Sequence, residues 1–168
     1  MITADWIDYW ADSYRLKADD EVLNEVGPRV RKRGFYDRAD LLAVGVWKSP
    51  RAKSYLESNS DEMIHDVTAT ALAAPLRIQH RILRILRGVE IPMASSLLMV
   101  WQPDEHTVID VRAVASLVAN DEIKNPAPKD YPPYIEYLDV CKAIAARCGR
   151  SLRTVDRALY EANGRPRP

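Results

Sequence analysis

The chain has 168 residues, 47% of them hydrophobic, and its 24 Lys and Arg balance 24 Asp and Glu. That size and apolar content suit one domain with a sizeable core; the zero net charge argues against strong non-specific nucleic-acid binding by the chain as a whole. No apolar run is long enough to span a membrane, and the acids of MITADWIDYWADSY do not read as a signal peptide. The cysteines Cys141 and Cys148 form no metal-type cluster with His65, His80 and His106. We therefore expect a cytoplasmic protein with reduced thiols, and no metal or cofactor.

Thr3-Ala4-Asp5 can cap a first helix carrying Trp6, Ile7, Tyr9, Trp10, Tyr14 and Leu16. Asp19-Asp20 opens a second, with Val22, Leu23 and Val26, which ends or kinks at Pro28. Arg29 to Arg33 follow, read as a solvated face ahead of a phosphate contact, and Gly34 is a natural stop. Asp37 begins a third helix whose apolar stripe takes in Ala39, Leu41, Leu42, Val44, Val46 and Trp47. Pro50 disfavours helix at Ser49, so Trp47-Lys48-Ser49-Pro50-Arg51 is a helix break. A Trp with a Lys and an Arg around a break can meet nucleic acid; a core Trp with two surface cations is the equal alternative.

Asn59-Ser60-Asp61 caps a fourth helix through Ala74, and Pro75 separates it from a fifth, Leu76 to Arg87. The fifth carries Ile78, Ile82, Ile85 and Leu86 on one side, and Arg77, Arg81 and Arg84 on another. That basic face can follow a phosphate backbone or pair with the acidic N-terminal helices. Gly88 suits a tight helix end, and Pro92 the first turn of the next helix, which runs through Trp101. Ala94, Ser95 and Ser96 are small enough for the two helices to approach closely near the turn. Such a hairpin aims backbone N–H groups at one point, a ready phosphate site. Asp110 then caps a helix starting Val111-Arg112.

Leu86-Arg87-Gly88-Val89-Glu90-Ile91-Pro92-Met93-Ala94 resembles the hairpin of the helix-hairpin-helix DNA glycosylase superfamily, roughly L-P-G-V-G-x-K-T-A. Val108-Ile109-Asp110-Val111-Arg112 is similar to that superfamily's V-D-x-x-V segment, which carries its catalytic aspartate. The two blocks come in the family's order at similar spacing and cover about a fifth of the chain. There are two departures. Glu90 stands at the family's second glycine and brings a carboxylate close to the expected phosphate. Pro92 stands where bifunctional members carry a catalytic lysine, which excludes Schiff-base lyase chemistry at that position. The iron–sulfur cluster of some members needs four cysteines and is absent.

The resemblance implies a monofunctional base-excision DNA glycosylase, a hydrolase of DNA repair. It would bind duplex DNA, flip a nucleotide and cleave its base–sugar bond. Asp110 would stabilise the sugar cation and orient water. Arg87, Gly88, Val89, Glu90, Ile91, Pro92 and Ala94 would meet DNA, with Arg84, Lys48 and Arg51 beside them. Trp47, Tyr55 and Trp101 are the candidates to stack on the base. Two alternatives stay open: a non-catalytic helix-hairpin-helix DNA-binding module, favoured by Glu90, zero net charge and small size, and a helical partner-binding protein.

Beyond Asp110 the sequence predicts a polar, proline-rich loop over 120–133. A helix from Tyr134 to Cys148 follows, with Ile135, Leu138, Cys141, Ile144 and Ala145 inward, closed by Gly149. Ser151 caps the last helix, and Arg147, Arg150, Arg153 and Arg157 make this end basic. The fold expected is all-α: one compact multi-helix domain over residues 1–168, of about eight or nine helices.

Overall fold

A computed structural model describes residues 1–14, 19–124, 126 and 130–165. Among the described residues there are ten helices and no strand, so the all-α expectation holds with slightly more helices. They are α1 (Ala4–Asp12), α2 (Asp19–Glu21, Val22–Val26 and Gly27–Arg33 in unbroken succession), α3 (Arg38–Lys48), α4 (Lys53–Glu57), α5 (Asp61–Ala73), α6 (Leu76–Leu83), α7 (Ile91–Trp101), α8 (Val111–Ala119), α9 (Tyr134–Cys148) and α10 (Leu152–Ala162). The chain forms two compact units, one of Met1–Arg15 with Asp104–Pro168 and one of Leu16–Pro103. The expected inward position of Leu16, the loop residues 125 and 127–129, and the tail 166–168 lie outside the described residues.

The unit Leu16–Pro103 is built around α7. Every residue from Met93 to Val100 is buried, and α2, α3 and α6 all pack against this helix. A helix apolar on all sides can only be stable when covered on all sides. Gly27 in α2 comes so close that a Cβ there would lie 2.5 Å from the Val100 carbonyl oxygen. Tyr36 ties the layers together: its hydroxyl donates to the Leu97 carbonyl at 2.6 Å, and its N–H donates to Thr68 Oγ1 of α5 at 3.0 Å. Complete burial pushes that phenol well above its ordinary pKa.

Three expectations need correction here. The second helix does not end at Pro28, one of the two outcomes expected there; it continues to Arg33. Val22–Val26 forms a π turn in which the Gly27 N–H reaches back five residues to the Val22 carbonyl. That widened turn comes just before the proline, whose missing N–H would interrupt an ordinary ladder. The helix expected to reach Arg87 stops at Leu83, because Ile85 and Leu86 bond three residues back and tighten the chain into the turn. Its buried face is Gln79, His80 and Leu83, joined by Leu86, while Ile78 and Ile82 are half-buried and Ile85 is exposed. In α3, finally, the inward face is Asp40, Leu41, Val44 and Gly45. Ala39 and Val46 are exposed, and Leu42 and Trp47 are half-buried.

In the other unit, α10 packs against α1, α8 and α9. The caps fall where the sequence puts them. Thr3 accepts from Trp6 N–H, Ser151 accepts from Thr154 N–H, and Gly149 and Asn163 close α9 and α10 in the left-handed region. Cys141 is buried and Cys148 half-buried, both free thiols. Three of the C-terminal arginines are engaged within the unit: Arg147 with Glu122, Arg150 with Asp8 and Arg153 with Asp156.

Candidate nucleic-acid interface

The hairpin is α6, the turn 84–90 and α7. Gly88 sits at φ +83°, where a side chain is strained, and a Cβ there would meet the Cβ of Tyr55 at 2.8 Å and the Leu56 backbone nitrogen at 3.3 Å. The turn thus needs glycine twice over, for its backbone angle and because α4 lies against it. Val89 points inward and is buried, while Arg87 and Glu90 point out. Glu90 takes the extended N-cap conformation of α7; its carbonyl accepts from Ala94 N–H at 2.9 Å. Pro92 is the second residue of α7, where no intrahelical N–H is missed. The Ser95 and Ser96 hydroxyls both donate to its carbonyl at 2.8 Å, and these small residues allow α6 to pack closely.

The Glu90 carboxylate makes no cap bond. It accepts from Arg84 Nε at 3.2 Å and Nη2 at 2.9 Å. The carboxylate that departs from the glycosylase pattern is therefore offset by a guanidinium six residues earlier. Arg77, Arg81 and Arg87 are exposed and have no ion-pair partner among the described residues, so the expected alternative of pairing with acidic N-terminal helices is not realised by them. Positive charge on α6 and the turn is felt nearby: His80, buried on the inner side of α6, titrates below its ordinary value, through burial first and then the charges of Arg81 and Arg84.

The arginine run of α2 turns out differently. Arg29 and Arg33 both pair with the buried Asp40, Arg33 also pairs with Asp37, and Arg31 donates to the Trp101 carbonyl at 2.7 Å. Arg29, Arg31 and Lys32 stay exposed, as expected of a solvated face, while the paired arginines of the run also hold α2 to α3 and to the C-terminal end of α7.

Asn59 was legible only as part of a helix-start signal, and the true cap of α5 is Ser60. Asn59 is buried, and its side chain behaves as a peptide group. It accepts from Arg87 N–H at 2.9 Å and donates to the carbonyls of Arg87 and Leu56, both at 3.0 Å. It fastens α4 to the hairpin turn, a role for which short-range pattern carries no signal.

Of the stacking candidates, Tyr55 alone lies at the turn, 64% exposed beside Gly88. Trp47 is half-buried against α2, its indole N–H donating to Asp19 Oδ1 at 3.2 Å. It lines an open groove of about 430 Å³ with Glu21, Val22, Leu42 and Val46. Trp101 ends α7, ten residues and roughly 15 Å from its first turn. Lys48 closes α3, half-buried, and Arg51 is exposed in the single 3₁₀ turn Pro50–Ala52 that leads into α4.

Asp110 belongs to the other unit. It caps α8: Oδ1 accepts from the N–H groups of Arg112 and Ala113, both at 2.9 Å, and the residue is 9% exposed. Two buried tyrosines of α9 hold the segment before it, Tyr134 Oη donating to the Thr107 carbonyl at 3.1 Å and Tyr137 Oη to that of Val108 at 2.9 Å. Tyr131 stands nearby with its phenol pKa raised, by burial first and then by the charge of Asp110. No helix among the described residues is long and apolar enough to cross a membrane, and they hold no cluster of three or more His, Cys, Asp or Glu able to bind a metal. Comparison with protein-family models, curated proteins and solved structures finds no match.

Proposed function

We propose that the protein binds duplex DNA through the hairpin, the turn at Gly88 and the start of α7 receiving a backbone phosphate while Arg77, Arg81 and Arg87 follow the strand. One observation carries this reading: Arg77, Arg81 and Arg87, three exposed guanidiniums of α6 and the turn, lack acidic partners among the described residues in a hairpin that leads into the start of α7. Unpaired cations next to aimed N–H groups suit an anion in both charge and hydrogen bonding. Glu90 lowers that potential, and its pairing with Arg84 limits the loss. The reading sets the protein in the cytoplasm, in keeping with two free cysteines.

The test is fluorescence anisotropy with a labelled duplex at two salt concentrations. Binding should weaken with salt, and the double variant Arg77→Gln/Arg81→Gln should flatten the log–log slope by about 0.9 for each phosphate it no longer neutralises. Absence of binding even at low salt would remove the DNA reading and leave the hairpin as packing in a partner-binding protein.

A second reading, base excision, is favoured by the resemblance and by one feature of Asp110: both cap bonds fall on a single carboxylate oxygen. A carboxylate fixed in this way can stabilise an oxocarbenium-like sugar and orient water for hydrolysis of the base–sugar bond. Asp110→Asn keeps the capping oxygen. It should abolish alkali-revealed strand scission of lesion-bearing duplex while leaving binding nearly intact, and unchanged scission would exclude Asp110 from the chemistry.

A further inference from the structure

We propose that the outer face of α3 binds a second copy of this chain, the two α3 helices packing antiparallel about a twofold axis. The proposal stands apart from the DNA reading and uses other residues.

Helix α3 is apolar on two sides. One side, with Leu41, Val44 and Gly45, is buried within its own unit. The other is a stripe at helical spacing, Ala39, Leu42, Ala43 and Val46, in which Leu42 and Ala43 are half-buried and Val46 is 41% exposed. Together with Trp47, and with Glu21 and Val22 of α2, the stripe lines an open groove of about 430 Å³. An apolar helix face is stable in water when something covers it.

Two observations fit this face to itself. The first is size. Small and large residues alternate along the stripe. An antiparallel pairing centred between Leu42 and Ala43 sets Leu42 of one copy against Ala43 of the other, and Val46 against Ala39. Each branched side chain then meets an alanine, which lets two helices pack closely.

The second is charge. Trp47 near the end of α3 donates to Asp19 at the start of α2, and Asp40 near the start of α3 pairs with Arg29 in the second half of α2, so the two helices run antiparallel. The exposed charges of α2 are divided: Glu21 and Glu25 lie in its first half, Arg29 and Lys32 in its second. Glu21, at the groove, has no ion-pair partner among the described residues. The twofold axis lays α2 alongside α2 of the second copy in the opposite direction and brings Glu21 opposite Arg29, whose side chain stays 50% exposed beyond its bond to Asp40. Glu25, nearest the axis, has Arg29 of its own copy at 3.8 Å. A parallel pairing would set acid against acid and Leu42 against Leu42, so size and charge select the same arrangement.

The experiment is sedimentation velocity of the full chain over a range of concentrations. The wild type should pass from the 19.1 kDa monomer to twice that mass and no further, because a twofold contact closes on itself. Val46→Glu should weaken the dimer by roughly a hundredfold, since the axis buries two unpaired carboxylates. Val46 is exposed, so this variant should fold, which circular dichroism checks. Leu42→Ala should also weaken the dimer, and adding Ala43→Leu should restore it, because the two positions face each other and merely exchange sizes. Glu21→Arg should weaken it by setting cation against cation. A monomer at every concentration overturns the proposal and leaves the groove to a partner of another kind. A dimer indifferent to Val46→Glu, a mass beyond two chains, or a folded Leu42→Ala/Ala43→Leu double variant that stays monomeric overturns it as well. Duplex binding by the hairpin is measured separately and stands or falls without these results.

Discussion

Two arginine-rich stretches of the same unit end differently. In α2, Arg29 and Arg33 close on the buried carboxylate of Asp40, and Arg31 caps the carbonyls at the end of α7. In α6 and the turn, only Arg84 meets a carboxylate, that of Glu90, while Arg77, Arg81 and Arg87 face solvent without an ion-pair partner among the described residues. Composition does not separate the two runs. What separates them is whether an acid on the neighbouring element comes within reach. Cations already paired hold the fold together; cations left over are available to an external anion.

The sharpest way to break this contrast is at Asp40. Asp40→Asn keeps the shape but leaves two guanidiniums around a neutral group at a site where the side chain is only 3% exposed. Hydrogen bonds to charged groups in such settings are worth more than neutral ones, so the loss should be about 2–3 kcal/mol, read as a lower midpoint in urea unfolding. The contrasting variant, Arg77→Gln/Arg81→Gln, should change stability by no more than about 0.5 kcal/mol, as exposed positions do. A large destabilisation there would mean these arginines are structural after all.

The smallest effect concerns the field of Arg81 at His80. His80 titrates below its ordinary value, through burial and then Arg81 and Arg84. Its folded pKa lies under the unfolded one, so across that window the unfolded chain holds more protons, and stability is lost as pH falls below about 6.5. Arg81→Gln should move the His80 titration upward, followed by NMR of the imidazole, and soften the acid loss of stability. An unmoved titration would mean that Arg81 takes no part in setting it.

Much of the fold was legible. Thr3, Asp37, Ser60, Asp110 and Ser151 all cap helices, because capping is decided within four residues. Gly34, Gly88 and Gly149 take the left-handed angles that end helices. The hairpin itself was legible for the same reason. Less legible was which apolar face turns inward. In α3 the periodic stripe is wide, and the structure buries Leu41 and Val44 while leaving Ala39 and Val46 in solvent. In α6, Gln79 and His80 are inside, and just past its end at Leu83 Ile85 is outside, the reverse of their hydropathy.

The sequence alone thus determined that the chain is helical, where most helices begin and end, and that a glycine–proline turn joins two of them; these depend on bonds between near neighbours. Tertiary structure alone decided that Asp40 consumes one arginine run, that Glu90 holds Arg84, and that Asn59 binds the backbone of Arg87 from 28 residues away. It also decided that Tyr55, rather than either tryptophan, stands beside Gly88. Such pairings join residues far apart in the chain, and their partners are chosen by which elements pack together, a choice that local pattern does not encode.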